Sequence, residues 1–423
     1  MAAVTANQIA IVKATAPVLK EHGVKITTVF YENMIRENPD LNNIFSTTSQ
    51  TTGRQPRALA GAVLGYATYI DDLPKLSHAV QRIAHKHVSL QVTPEQYDIV
   101  GKYLIQAIGQ VLGEAATPDI VDAWIAAYGQ LANVFINLER DMYKANAAEN
   151  WVGWRKFRIA KKVAESSLIT SFYLAPVDGG RLPKFLPGQY ISVQLPVPEL
   201  GYLQSRQYSL SEGPVENGEY YRISVKKEDA AEAGIPGLIS NMLHGKFNVG
   251  DEVEVSHPQG EFFVDPADAS KAGVPAVLIS AGVGATPLKS ILDSLTSGSG
   301  RKAPAVTRPV SWIHSARSSA MQPFGEAVRQ TCRENENVKA NVFLANVGAE
   351  DQVGVTYEFG SMRMDLAKLD KEKDLFLGNE KAEYFLCGPE PFMVDTRATL
   401  VSMGVDQNRI FLELFDTGDV PPM

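Results

Sequence analysis

The hydrophobic period changes twice along this chain, and no single layer of structure satisfies all three periods. From the start to about residue 148, apolar side chains recur at helical spacing in segments cut by Asn38-Pro39, Leu73-Pro74, Thr93-Pro94 and Thr117-Pro118. That pattern predicts an all-helical unit. After KANAAENW the spacing drops to two, in FRIAKKV, SLITSFYLAP, QYISVQL, YYRISVKK and DEVEVSH, with Gly, Pro and Asn between them. These runs predict an antiparallel β barrel or sandwich. Near Asp265 the texture changes again, and short apolar runs (AVLIS, VSWIH, ANVFLAN, EYFLCG) alternate with helical stretches. This is the pattern of a parallel sheet with crossover helices. The expected domains are residues 1–148, 151–264 and 265–423. The segment Thr296–Pro309 reads as a flexible loop from a helix to the next strand.

Composition narrows the partners. Forty basic against 48 acidic residues give a net charge of −8, which offers no electrostatic footprint for nucleic acid or anionic lipid. The two cysteines, Cys332 and Cys387, supply no disulfide framework, so a reducing, cytoplasmic location is expected. The N-terminal residues show no basic region followed by an apolar core, and no run approaches the roughly 18 apolar residues of a membrane span. A soluble monomer is expected.

Two of the seven histidines fall in QRIAHKHVSLQV. On a helix, Ile83, His87 and Leu90 share one apolar stripe, while His85 lies about 200° away beside Arg82 and Ser89. The two therefore serve different surroundings. His85 is expected to be solvated on the outer face; His87 is either a satisfied core histidine or a ligand.

Four further stretches carry candidate chemistry. Pro187-Gly188-Gln189-Tyr190 precedes Arg206-Gln207-Tyr208-Ser209 in the period-two region. There an Arg fork suits a phosphate, a Tyr ring can stack on a planar ring, and a Ser hydroxyl can bond a ring nitrogen. Gly237-Leu238-Ile239-Ser240 opens the expected helix SNMLHGK, either as a phosphate-holding N-terminus or as a turn Gly with an N-cap Ser. AVLIS runs into Gly282-Val283-Gly284-Ala285-Thr286-Pro287, whose glycines permit close backbone approach to a phosphate, although Pro287 breaks the GxGxxG pattern. Cys387-Gly388-Pro389 closes another strand.

RQYS, GLIS, GVGATP and CGP, in this order, resemble the ferredoxin–NADP reductase family. The resemblance implies a barrel that holds FAD through Tyr190, Arg206, Gln207, Tyr208, Ser209, Gly237 and Ser240. It further implies an α/β unit that takes NADH or NADPH at Gly282 to Pro287, with Cys387, Gly388 and Pro389 lining the hydride path. With the helical unit included, essentially the whole chain resembles the flavohaemoglobins: an all-α globin, then an antiparallel β barrel, then a parallel-sheet nucleotide-binding domain. That likeness makes His87 the iron ligand of haem b, Tyr31 and Gln55 the polar distal residues, and Leu59 the apolar gate. Phe45 becomes a haem-packing ring, Lys86 a cofactor contact, Tyr97 and Glu139 the proximal network, and Phe415 a flavin-stacking ring. The activity it implies is nitric oxide dioxygenase, with O2 and NO as substrates. An oxygen-binding or sensing globin, and a reductase for other acceptors such as peroxides, are the alternatives. Two departures stand out: Pro56 restrains Gln55 away from helical backbone, and Phe415 is followed by Asp416-Thr417-Gly418 where the family has Gly-Pro. Arg317, after strand VSWIH, either meets a 2′-phosphate or is an ordinary surface Arg.

Overall fold

The computed structural model describes residues 3–215, 218–229, 235–296 and 304–415. Asp416, Thr417, Gly418 and most of the loop after Thr296 lie outside them. Among the described residues up to 148 there are seven α-helices: α1 (Ala6–Ala14), α2 (Ala16–Glu37), α3 (Thr47–Thr51), α4 (Arg54–Tyr69), α5 (Ser77–Ser89), α6 (Pro94–Leu112) and α7 (Pro118–Ala148). The Thr-Pro pairs that interrupt the helical pattern start α6 and α7. Thr93 and Thr117 are N-caps and the prolines take the first helical position, where a missing N–H costs nothing. Ile26, Phe30 and Met34 of α2 pack with Tyr66, Ala107 and Trp124 in the main core. A smaller cluster, Ala84, Tyr97, Ala132 and Phe135, forms between α5, α6 and α7.

Six strands follow: β1 (Arg155–Ala164), β2 (Ile169–Pro176), β3 (Tyr190–Val197), β4 (Tyr202–Ser209), β5 (Tyr221–Lys226) and β6 (Glu252–Val255). They pair antiparallel in the order β4-β3-β6-β1-β2-β5, and a bridge between Leu210 and Ile223 joins the two edges into a barrel. Phe157, Ile159, Phe172, Ile191, Val193, Leu195 and Ile223 alternate into its core, and helix α8 (Leu238–Gly245) packs Ile239, Met242 and Leu243 against them. Period two is thus one apolar face turned inward.

The remaining strands, β7 (Ala276–Ala281), β8 (Val310–Ala316), β9 (Val338–Leu344), β10 (Phe359–Gly360), β11 (Glu383–Cys387) and β12 (Ile410–Glu413), are parallel in the order β10-β9-β8-β7-β11-β12. Helices α9 (Ala285–Leu295), α10 (Gly325–Glu334) and α11 (Glu390–Ser402) connect them. Separate apolar clusters cover the two faces, which is why these strands read as continuous apolar runs. The strand order reverses at β7, so the carboxyl ends of β7 and β11 form the crevice where open α/β sheets bind ligands.

Helix α5 sits between the helical region and the barrel. His87 faces Phe135 and Tyr97. The opposite face meets the barrel: Ser89 Oγ accepts from Ser192 Oγ at 3.0 Å, Arg82 lies 3.6 Å from Glu261, and His85 Nδ1 lies 2.8 Å from Gln259 Oε1. His85 is therefore not the solvated residue its outer position suggests, because the face turned away from the helical core is covered by the barrel. Among the described residues no helix is long and apolar enough to cross a membrane.

On β8, His314 is fully buried, its Nδ1 is 2.8 Å from Ser280 Oγ of β7, and its Nε2 has no partner among the described residues. Burial pushes its pKa down to about 4 from 6.5. The unfolded chain binds this proton between those two values and the folded chain does not, so stability falls as pH drops through that window. Linkage gives a loss of about 2 kcal/mol from this group between about pH 7.5 and about pH 5. His314→Gln is expected to remove that part of the pH dependence in urea unfolding; an identical dependence in both proteins would refute it.

Candidate functional site

Three groups of side chains carry the chemistry. The first surrounds His87. Its Nδ1 is 2.8 Å from Glu139 Oε1 and 2.8 Å from the Tyr97 hydroxyl, and that hydroxyl donates to the same carboxylate oxygen at 2.6 Å. A carboxylate only accepts, so Nδ1 carries the ring proton and Nε2 presents its lone pair. Nε2 has no protein partner among the described residues, and the ring, 31% exposed at its side chain, stays accessible. Glu139 is 3% exposed and tolerable there because it accepts from two donors. Burial, reinforced by Glu139, raises the Tyr97 pKa far above its usual value and keeps the phenol a donor.

The second group is Tyr31, Gln55 and Phe45. Gln55 Nε2 donates to the Tyr31 hydroxyl at 3.2 Å, which leaves the phenol proton free to be donated elsewhere. Burial raises the Tyr31 pKa, and the smaller effect of Gln55 opposes it, so the phenol stays protonated. Phe45 packs edge-on against Tyr31 at 5.3 Å, and Leu59 packs on the same core. The restraint expected from Pro56 is absorbed at a helix start: α4 begins at Arg54, so Gln55 and Pro56 both lie in its first turn. Pro56 has no N–H there to leave unpaired. Its carbonyl accepts from Thr27 Oγ1 at 2.8 Å.

The third group spans the barrel and the parallel sheet. On β4, Arg206 and Tyr208 share a face by strand alternation, and Tyr190 pairs with Ser209 across β3–β4. Ser209 Oγ is buried without a hydrogen-bond partner among the described residues. Burial lowers the Arg206 pKa, and the guanidinium's own contacts are Ser205 O at 2.6 Å and Thr48 Oγ1 at 3.2 Å. A desolvated cation on one face of β4 and an orphaned hydroxyl at its end fit an anionic group with a ring acceptor, as a flavin nucleotide provides. Gln207 turns the other way, donating to Ser192 Oγ at 3.0 Å.

Helix α8 starts earlier than expected. Gly237 is its N-cap, and Ser240 lies inside its first turn.

At the switch point, Gly282 and Gly284 form a 3-10 turn ahead of α9, and Ala285, Thr286 and Pro287 open that helix. Gly282 turns at φ +55° with open space around it, whereas a Cβ on Gly284 would lie 2.2 Å from the Cys387 carbonyl oxygen. Gly284 is thus required by its contact with the end of β11, while the space at Gly282 is open. The Thr286 hydroxyl donates to the Val283 carbonyl. Cys387 ends β11 fully buried, Gly388 follows, and Pro389 caps α11. Phe415 is 45% exposed beyond β12, and Arg317 is exposed just after β8.

One acidic residue escaped the sequence reading. Burial, then Glu261, raises the Glu413 pKa well above the carboxylate range, while Arg82 and Lys86 of α5 lower it. Glu413 ends β12 and lies in the field of two α5 cations, of which Lys86 is next to His87 in sequence. FLELF contains no spacing that marks it.

Known proteins resemble this chain over nearly its whole length. A family model described as Globin matches residues 28–135, and one described as Oxidoreductase NAD-binding domain matches residues 278–398. A flavohemoprotein of Bordetella pertussis is 47% identical, covering 97% of this chain and 98% of its own. One of Deinococcus radiodurans is 43% identical over 97% and 96%. The crystal structure of a flavohemoglobin from Malassezia yamatoensis with bound FAD and heme superposes with a TM-score of 0.82, at 32% identity over 98% of this chain and 100% of that one. The FAD/NAD binding domain of a nitric oxide dioxygenase from Vibrio cholerae matches 61% of this chain and 97% of its own, with a TM-score of 0.50 and 35% identity. With a relative this similar over nearly its full length, this chain belongs to the flavohemoprotein family.

Proposed function

We propose that this protein is a nitric oxide dioxygenase, converting two NO and two O2 to two nitrate at the cost of one NADH or NADPH, with release of one proton. In this reading residues 1–148 hold haem b, 151–264 hold FAD and 265–423 hold the nicotinamide nucleotide. When bound, the three groups supply hydride transfer, one-electron delivery and an oxygen-binding iron. The observation that carries the reading is the shared carboxylate, Glu139, accepting from both His87 and Tyr97.

Each residue has a task within that reading. Glu139 withdraws the Nδ1 proton of His87 toward itself, which makes Nε2 a stronger electron donor than an imidazole bonded only to water. Such a donor favours oxygen activation over simple storage. Tyr31 offers its proton to negative charge that develops on oxygen, and Gln55 orients the phenol by donating to it. Leu59 and Phe45 keep the surroundings apolar, which strengthens that bond. Arg206 holds phosphate, Tyr208 and Tyr190 flank the flavin ring, and Ser209 satisfies a ring atom. Gly282 to Pro287 take the nucleotide at the switch point, with Cys387, Gly388 and Pro389 on the adjoining strand end. The name of the matched Vibrio cholerae domain supports the same activity.

Three measurements test this. With haem and FAD loaded and NADH or NADPH supplied under O2, NO should be converted to about two nitrate per nucleotide oxidised; nucleotide oxidation indifferent to NO would overturn the proposal. His87→Ala should lose haem absorbance but keep FAD and ferricyanide reduction, because the modules have separate cores. Normal haem loading in that variant would remove His87 as the ligand. Tyr31→Phe should retain both cofactors and release O2 about 10- to 150-fold faster, the equivalent of one hydrogen bond to a charged group. Stopped-flow release at the parental rate would take Tyr31 out of the mechanism.

A further inference from the structure

The loop between the short 3-10 turn Pro39–Asn43 and α3 carries Phe45, and what holds it comes from the barrel. Gln204 of β4 is fully buried. Its Nε2 donates to the carbonyls of Asn42 (2.8 Å) and Phe45 (3.1 Å), and its Oε1 accepts from the Thr47 N–H (2.9 Å), the first residue of α3. Neighbours on the same strand add to the seam. Leu203 N donates to Asn43 Oδ1 at 2.8 Å, and the Tyr202 and Thr47 hydroxyls are 3.0 Å apart. Two residues further along, on the face that Gln204 occupies, are Arg206 and then Tyr208.

We infer that Gln204 is a positioning residue for oxygen binding: through the Phe45 loop it sets the Tyr31–Gln55 pair from the flavin-holding strand. The chain of contacts is continuous. Gln204 fixes the Phe45 carbonyl, the Phe45 ring packs edge-on against Tyr31, and Tyr31 accepts from Gln55. The loop has few backbone hydrogen bonds of its own between Phe45 and Thr47, so its course depends on donors from outside. A bare hydrophobic replacement leaves the Asn42 and Phe45 carbonyls and the Thr47 N–H without their partner, and the loop moves to find others. This inference rests on the proposed haem and flavin sites.

The test uses the full chain loaded with both cofactors, as Gln204→Leu and as Gln204→Glu. The Glu variant keeps the acceptor for Thr47 and loses both donors, so it also serves if the Leu variant does not fold. Hydrogen exchange of peptides spanning residues 42–51, measured with and without cofactors, should accelerate in both variants. Oxygen release should change by about fivefold or more, with a shifted C–O stretch when CO replaces O2, while FAD affinity stays within about twofold. Combining either variant with Tyr31→Phe should give less than the sum of the two effects, since both act through one phenol. Parental oxygen release and C–O stretch in both variants, in a background where Tyr31→Phe does change release, overturn the role of Gln204 and leave the pocket standing. A silent Tyr31→Phe, or failure of the parent chain to retain haem, overturns the pocket reading and this inference with it.

Discussion

A helix can face two ways only if something apolar or hydrogen-bonding waits on each side, and α5 meets that demand twice. Toward the helical core it presents His87 to Glu139 and Tyr97; toward the barrel it presents Arg82, His85 and Ser89 to Glu261, Gln259 and Ser192. Neither set can be rotated without breaking the other, since 100° per residue fixes their angular relation. The orientation of the His87 ring is therefore set partly by the barrel. Lys86 lies between the two sets and reaches the field of Glu413 at the end of β12, so the parallel sheet also bears on this helix.

Strand β4 repeats the same logic from the other side. Its register against β3 places Tyr190 opposite Ser209 and Val193 opposite Arg206, and its Leu203 N–H and Gln204 side chain hold the loop that carries Phe45. Polar side chains on an edge strand ordinarily face water and keep the edge from pairing. Here Gln204 is buried and fully bonded, and the helical region takes the place that water would have.

The sequence was informative where chemistry and period act locally. Thr93-Pro94 and Thr117-Pro118 announced helix starts because capping needs only neighbouring residues. The stripe through Ile83, His87 and Leu90 separated the two histidines correctly. What stayed hidden is long-range. Gln204 and Phe45 are 159 positions apart, and His85 and Gln259 are 174 apart. Periodicity reports that a residue leaves its own core and is silent about what stands outside it, which is how His85 came to be expected in solvent. The packing of Gly284 was hidden for a related reason: the end of β11, which leaves no room for a Cβ there, is about a hundred residues away in sequence. Glu413 had no local marker, and the irregular stretch between β9 and β11 followed no period.

Helix α9 has almost no wet face. From Ala285 to Leu295 only Ser294 escapes full burial, and the buried Lys289–Asp293 pair sits where Ser290 donates to the Glu212 carbonyl and Gly213 approaches the side chains of Asp293 and Ser294. Sliding the parallel sheet past the barrel would bring that ion pair out of its partners' reach before water could replace them, and an uncompensated buried charge is strongly unfavourable. In calorimetric terms, contacts of this kind favour one melting event for the barrel and the parallel sheet over two.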